Sequence, residues 1–189
     1  MSGWHRLKTN IIHFVFQLYY RLFVSKDLIN FHRHFLNAQK ILIIMPLDIE
    51  QFEIAFSVLP QFQRIFDKTE IWYLVPEGYR DFFSRRNPGE VIGYNKSDSN
   101  FLLLPKKRLK DEITWQEFDI TISLNSGFDL FTAHLCLASK APIRVSLYDD
   151  LSAPYFTFQI KDQTTHFLGQ RYKNLAKYLS MMRQAENNE

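Results

Sequence analysis

Glycine and cysteine are scarce in this chain of 189 residues, which has six glycines and one cysteine. A single cysteine excludes an internal disulfide framework and any cysteine-rich metal site. The few glycines form neither the GxGxxG pattern nor the Walker A pattern, in which the backbone approaches a phosphate closely. Dinucleotide-dependent enzymes, P-loop enzymes and cysteine-ligated metalloproteins are therefore not expected, and we predict no cofactor.

The chain also has little excess of positive charge, since its net charge is only +3. Nucleic-acid-binding domains are usually far more basic, so no nucleic-acid partner is predicted. The hydrophobic fraction of 46% excludes a disordered chain, and the length fits one domain with an appendage. His32 and His34 form the tightest histidine pair, but on a helix they point in different directions and no carboxylate or cysteine completes a ligand set. No metal site is predicted.

Aromatic and basic residues are concentrated at the N-terminus. The 14 residues from Ile11 to Val24 are nearly all apolar, which is shorter than the roughly 20 residues of a transmembrane helix. No small-residue cleavage site follows them, so a signal peptide is not expected. We predict an amphipathic helical extension over residues 1–39, which either lies on an anionic membrane surface or docks on the domain, a second copy or a partner. Its candidate contact residues are Trp4, Arg6, Lys8, Phe16, Tyr20 and Arg21.

The rest of the chain alternates between two periodicities. Continuous apolar runs predict strands buried on both faces, and apolar residues at helical spacing separate them. This alternation predicts an α/β fold: a single Rossmann-like, three-layer α/β/α domain with a mainly parallel sheet over residues 40–183, followed by a polar tail over 184–189. The predicted strands are 41–45, 71–75, 91–94, 118–124, 142–148 and 155–160, and the predicted helices are 49–66, 77–85, 128–139 and a last one capped by Thr164 or Thr165.

Three further details accompany these predictions. Pro60 lies inside the helix predicted over 49–66 and is expected to kink or divide it. The basic cluster of residues 106–110 is interpreted as a solvated loop. Cys136 lies among apolar residues on a predicted helix, which is typical of an inert buried thiol.

Candidate functional residues follow three predicted strands. Ligands of open parallel sheets bind beyond the carboxyl ends of the strands, so the loops there are the places to search. Carboxylates in these loops are candidates for acid–base chemistry, although acidic first-turn residues, turn residues and helix caps have the same composition. Asp149 and Asp150 fit a solvated turn best. The remaining candidates for ligand binding are Asp48, Asn125, Ser126 and Asp129, with Asp48 and Glu50 as weak catalytic candidates.

Several segments in this order resemble a known family. They are Ile41–Ile44, the run from Glu70 to Glu77, the run from Phe118 to Leu124, and the run from Ala138 to Val145. Together they resemble the N-terminal half of glycosyltransferase family 9, the bacterial ADP-heptose:lipopolysaccharide heptosyltransferases. The resemblance covers about residues 40–182. It implies the acceptor-side domain of a GT-B fold.

The departures from the family pattern bear on activity. At the position that the resemblance assigns to the family's catalytic aspartate, this sequence has Gln51, and an amide cannot accept a proton as a carboxylate does. The family binds its nucleotide sugar mainly in a second domain, for which the sequence has no counterpart. The resemblance therefore implies a binding or scaffold protein of bacterial cell-envelope glycan or lipopolysaccharide biosynthesis, without autonomous transferase activity.

Partners and location follow from the same resemblance. The implied partner is a glycan or lipid-linked acceptor, and the implied location is the cytoplasm or the inner face of the membrane. The alternative is an active glycosyltransferase that needs a partner chain for the donor site.

Overall fold

The computed structural model describes residues 31–161 and 165–184. The predicted contact residues between Trp4 and Arg21, and residues 185–189 of the predicted polar tail, lie outside these residues, whereas Gln184 is the last residue of a helix. The described residues contain no helix with both the length and the hydropathy that crossing a bilayer requires.

The described part of the chain forms one six-stranded sheet in which every neighbouring pair is parallel. The strand order is β3-β2-β1-β4-β5-β6, so the chain winds outward in one direction from β1 and in the other from β4. This is the predicted Rossmann-like arrangement. The strands are β1 (Lys40–Ile44), β2 (Glu70–Pro76), β3 (Glu90–Tyr94), β4 (Ile120–Ser123), β5 (Ile143–Leu147) and β6 (Phe158–Ile160).

Helices cover both faces of the sheet, which explains why the strands are apolar on both sides. In β1 the side chains alternate: Ile41 and Ile43 contribute to one hydrophobic cluster, and Leu42 and Ile44 contribute to the other. The described helices are α1 (Phe31–Leu36), α2 (Ile49–Ile65), α3 (Arg80–Ser84), α4 (Lys107–Thr114), α5 (Leu130–Ala138) and α6 (Leu168–Gln184).

The two faces are covered by different helices. Residues of α1, α2, α3 and α6 contribute to the first cluster, and residues of α4 and α5 contribute to the second. The short helix α1 packs by Phe35, which is fully buried and lies edge-on to Phe66 with ring centroids 5.8 Å apart. Phe31 packs on Phe158 of β6 at 5.2 Å. The chain segment just before β1 is therefore part of the packed domain.

Three sequence-based predictions differ from the structure. The basic cluster at residues 106–110 is no loop, because Lys107 begins α4, whose Leu109 and Ile113 are buried at the i, i+4 spacing of one helix face. Helix α2 continues through Pro60, so the proline does not divide it, and the expected kink stays a prediction. The last helix begins at Leu168, after Thr165 has accepted a hydrogen bond from the backbone N–H of Phe167 at 3.1 Å. Phe167 directly precedes the helix, so Thr165 does not cap it, and Thr164 lies outside the described residues.

The turn that leads into β3 depends on Gly89, whose φ is +120°. A Cβ atom at this position would lie 2.5 Å from the carbonyl oxygen of Ile71. We expect Gly89→Ala to lower the free energy of unfolding by about 2 kcal/mol, through backbone strain and this clash. Urea denaturation measures the effect. Gly78→Ala is the control, because nothing lies within 4 Å of its added Cβ, and equal stability of the two variants would contradict the prediction.

Candidate functional site

The carboxyl ends of β1 and β4 mark the point where the winding of the sheet reverses. These two strands are neighbours, but the chain leaves them in opposite directions across the sheet. In open α/β sheets such a point opens a crevice between the loops that follow the two strands. Here the loops are residues 45–48 after β1 and 124–129 after β4, with 148–157 after β5 beside them. We call this region the switch-point crevice.

Gln51 joins the two sides of the switch-point crevice. Its Oε1 accepts a hydrogen bond from the backbone N–H of Ser126 at 3.2 Å, across 75 positions of sequence. Asp48 is the N-cap of α2, and its Oδ1 accepts from the backbone N–H of Gln51 at 3.0 Å. Gln51 thus connects the loops after β1 and β4 by a hydrogen bond, and Asp48 serves as a helix cap.

Helix α6 also forms hydrogen bonds to the loop after β4. Arg171 donates from Nη1 to the carbonyl oxygen of Ser126 at 3.5 Å, and the hydroxyl of Tyr172 donates to the carbonyl oxygen of Leu124. Burial raises the pKa of Tyr172, so its hydroxyl stays protonated and keeps donating. Sequence reasoning gave neither residue a role in the site. The signal was present as a basic residue beside an aromatic one at the start of a helix, but this pairing is too common to identify a site.

The cavity within the switch-point crevice is small and has an acidic lining. Its volume is about 10 Å³, which is room for about one water molecule. Asp129 and Asp149 line it, together with hydroxyl groups such as that of Ser123, and no lysine or arginine is among its lining residues. A nucleoside diphosphate carries negative charge and needs basic or N–H donors. The cavity therefore does not suit the diphosphate of a nucleotide sugar.

The predicted ligand-binding residues converge on this region, but most of them already have intramolecular partners. Asp129 is the N-cap of α5, and its Oδ1 accepts from the backbone N–H of Thr132 at 2.8 Å. The Nδ2 of Asn125 donates to the hydroxyl of Ser123 at 3.2 Å. Asp48, Asn125, Ser126 and Asp129 therefore lie around one crevice, while Glu50 is exposed in the first turn of α2.

The loop after β5 has a larger structural role than the sequence indicated. Asp149 was interpreted as part of a solvated turn, but its Oδ2 accepts from the backbone N–H of Phe128 at 3.3 Å. Its Oδ1 accepts from the backbone N–H of Leu151 at 2.9 Å. Asp149 thus connects the loops after β4 and β5, while Asp150 accepts from the hydroxyl of Tyr148 at 2.7 Å.

Other reactive groups are not assembled into a site within residues 31–161 and 165–184. No group of three or more His, Cys, Asp and Glu side chains there could hold a metal ion. Cys136 is fully buried, and this burial raises the pKa of its thiol to about 12. The thiol therefore stays protonated, and the interpretation of Cys136 as an inert core residue is confirmed.

Solved structures of glycosyltransferases share this fold. A glycosyl transferase family 9 protein from Veillonella parvula matches with a TM-score of 0.61 and 20% identity, over 76% of this chain and 42% of that protein. The ADP-heptose LPS heptosyltransferase II of E. coli matches with a TM-score of 0.57 and 17% identity, over 73% of this chain and 40% of that protein. The E. coli heptosyltransferase WaaC, solved with ADP, matches with a TM-score of 0.58 and 14% identity, over 74% of this chain and 46% of that protein.

These matches confirm the predicted resemblance to family 9 glycosyltransferases at the level of the fold. The chain spans less than half the length of each of these three proteins. No protein-family model and no curated protein matches the sequence.

Proposed function

We propose that this chain is a heptosyltransferase-like domain that binds a glycan or lipid-linked acceptor without transferring sugar on its own. Its role is binding or scaffolding in bacterial cell-envelope glycan or lipopolysaccharide biosynthesis, in the cytoplasm or on the inner face of the membrane. The observation that carries the proposal is the bond between Gln51 Oε1 and the N–H of Ser126, at the position where the resemblance implies a catalytic carboxylate.

The neighbouring carboxylates support the same conclusion. Asp48, Asp129 and Asp149 each accept backbone N–H bonds that fix a helix start or a loop. A general base must reach the hydroxyl proton of the acceptor, and a carboxylate turned toward its own backbone is poorly placed for this. Glu50 has no such bond among the described residues, so it is the carboxylate most available for chemistry.

The test is a transfer assay with the purified full chain. ADP-heptose and other nucleotide sugars are incubated with deacylated lipopolysaccharide core oligosaccharides, and products are detected by mass spectrometry. We expect no product above the rate without protein, and we expect the oligosaccharide to be retained in equilibrium dialysis. Turnover by the chain alone, or failure to retain any core oligosaccharide, would contradict the proposal.

A second candidate function is an active glycosyltransferase whose donor site comes from a partner chain. Exposed apolar side chains around the carboxyl edge of the sheet favour it, because such residues mark interaction surfaces. Ile49 follows β1, Phe101 follows β3, Leu151 follows β5 and Phe167 precedes α6. A single protein domain covering this edge would bury all four.

Two substitutions distinguish this candidate from the first. In the presence of a donor-binding partner, Asp48→Asn or Glu50→Gln should abolish transfer while the fold survives. Asparagine caps helices about as well as aspartate, so loss of activity in Asp48→Asn would not result from loss of the cap. Full activity in both variants would remove both residues as catalytic candidates.

A further inference from the structure

An aromatic groove lies between α2 and α3, beside the switch-point crevice but lined by different residues from the cavity there. Its volume is about 360 Å³, within the range of small-molecule sites. Its apolar lining comes mainly from Phe52, Phe56, Tyr79 and Phe82, and its polar lining is Glu53 and Arg86. No sequence pattern singled these residues out, because they come from two segments whose apolar spacing also fits ordinary core packing.

The rings of the groove form a continuous surface. Tyr79 stacks on Phe52 with centroids 4.7 Å apart and an interplanar angle of 22°. Phe56 continues the surface to Phe82, with centroids 5.5 Å apart. Phe82 is 42% exposed and Phe52 only 2%, while Phe56 and Tyr79 are half-buried. The ring surface open to a ligand therefore belongs to Phe56, Tyr79 and Phe82, and it suits a ligand with an apolar face of its own.

The groove is supported from behind by the core. Phe83 is fully buried and contacts Phe56 at 5.7 Å and Tyr73 at 4.8 Å between ring centroids. Tyr73 in turn accepts a hydrogen bond from Gln63 at 3.0 Å. The rings therefore have little freedom to collapse into the groove, so binding there would cost little reorganisation.

The two polar residues of the groove have opposite charges and do not pair with each other. The guanidinium carbon of Arg86 lies 4.3 Å from the centroid of the Phe82 ring, and among the described residues neither Arg86 nor Glu53 forms a salt bridge. Glu53 can only accept hydrogen bonds and Arg86 can only donate them. Their charges cancel, so the groove favours neither an anion nor a cation.

The charge balance and the rings together define the chemistry of the ligand. A ligand that uses all of these groups carries both hydrogen-bond donors and acceptors and presents an apolar face. A pyranose ring has these properties, because its axial C–H bonds form an apolar face and its hydroxyl groups at the rim both donate and accept. An acyl chain would contact the rings alone and would leave Glu53 and Arg86, which are exposed, in contact with water.

We propose that the groove between α2 and α3 is a binding site for a neutral sugar ring, stacked on Tyr79 and Phe82 with its hydroxyl groups toward Glu53 and Arg86. The site extends the proposed acceptor binding to a further sugar of the glycan. It shares no lining residue with the cavity of the switch-point crevice, so it holds or fails independently of what binds there.

Saturation-transfer NMR on the full chain tests this site, with the methyl glycosides of glucose, galactose and mannose as probes and n-hexanol as the apolar probe. We expect saturation of the ring C–H protons of at least one glycoside. Phe82→Ala and Arg86→Ala should each weaken its binding about fivefold to tenfold. Both residues are exposed, so both variants should fold.

The matched control is Phe101→Ala, which removes an equally large exposed ring outside the groove. It should bind the glycoside as the wild type does. Three results would overturn the proposal: no saturation of any glycoside, equal binding by the wild type and both groove variants, or saturation of hexanol alone. A failure of core oligosaccharide retention with intact glycoside binding would instead count against the acceptor binding proposed above and not against the groove.

Discussion

Replacing Phe83 with alanine is expected to lower the free energy of unfolding by about 3–5 kcal/mol. The side chain is fully buried at the centre of an aromatic cluster, where its ring lies 6.4 Å from that of Phe52 and 4.8 Å from that of Tyr73 between centroids. Truncation removes the apolar surface and leaves a cavity that large neighbouring rings cannot fill by small movements. Guanidinium denaturation followed by circular dichroism measures the loss.

The neighbouring residue provides the control for this prediction. Phe82 precedes Phe83 on α3 but points toward the groove and is exposed, so Phe82→Ala should cost less than about 1 kcal/mol. Both variants remove the same atoms from adjacent positions of one helix. Equal losses would show that Phe83 is not the central support of the cluster, and the argument that the groove is held rigid from behind would fail with it.

The sheet could be predicted from the sequence because its strands are buried on both faces. Continuous apolar runs such as Ile41–Ile44 are typical of such strands when the segments between them have apolar residues at helical spacing. Helix α4 was missed for the opposite reason. Its exposed residues are mostly charged, and only Leu109 and Ile113 face the core, so the apolar pattern is too sparse to distinguish a short helix from a solvated loop.

The sequence predicted where the loops of the switch-point crevice lie, but not the hydrogen bonds between them. The rule for parallel sheets located the loops that carry Asp48, Ser126 and Asp129, since it depends only on strand direction. The rule does not predict the hydrogen bond from the Ser126 N–H to Gln51, or the one from Arg171 to the carbonyl oxygen of Ser126. These bonds depend on how the helices pack across the sheet. The groove between α2 and α3 depends on the same kind of long-range packing.

Lowering the pH is expected to destabilise the domain through His134. This side chain is only 4% exposed on α5, with its ring edge-on to Tyr155 at 5.7 Å between centroids. Burial lowers its pKa to about 4, from an ordinary value near 6.5. Between these values the unfolded chain binds a proton that the folded chain does not, so the free energy of unfolding falls as the pH falls. The full loss is about 3 kcal/mol, reached near pH 4.

The contribution of His134 is isolated by comparing its glutamine variant with the wild type. Carboxylates also titrate at acidic pH, but they do so in both proteins and cancel in the difference between the two curves of unfolding free energy against pH. In His134→Gln the loss between pH 7 and pH 4 should be smaller by about 3 kcal/mol, whatever the stability of the variant at neutral pH. Parallel curves for the wild type and His134→Gln would mean that the buried imidazole accepts its proton in the folded state at little cost, and that α5 moves to let water reach it.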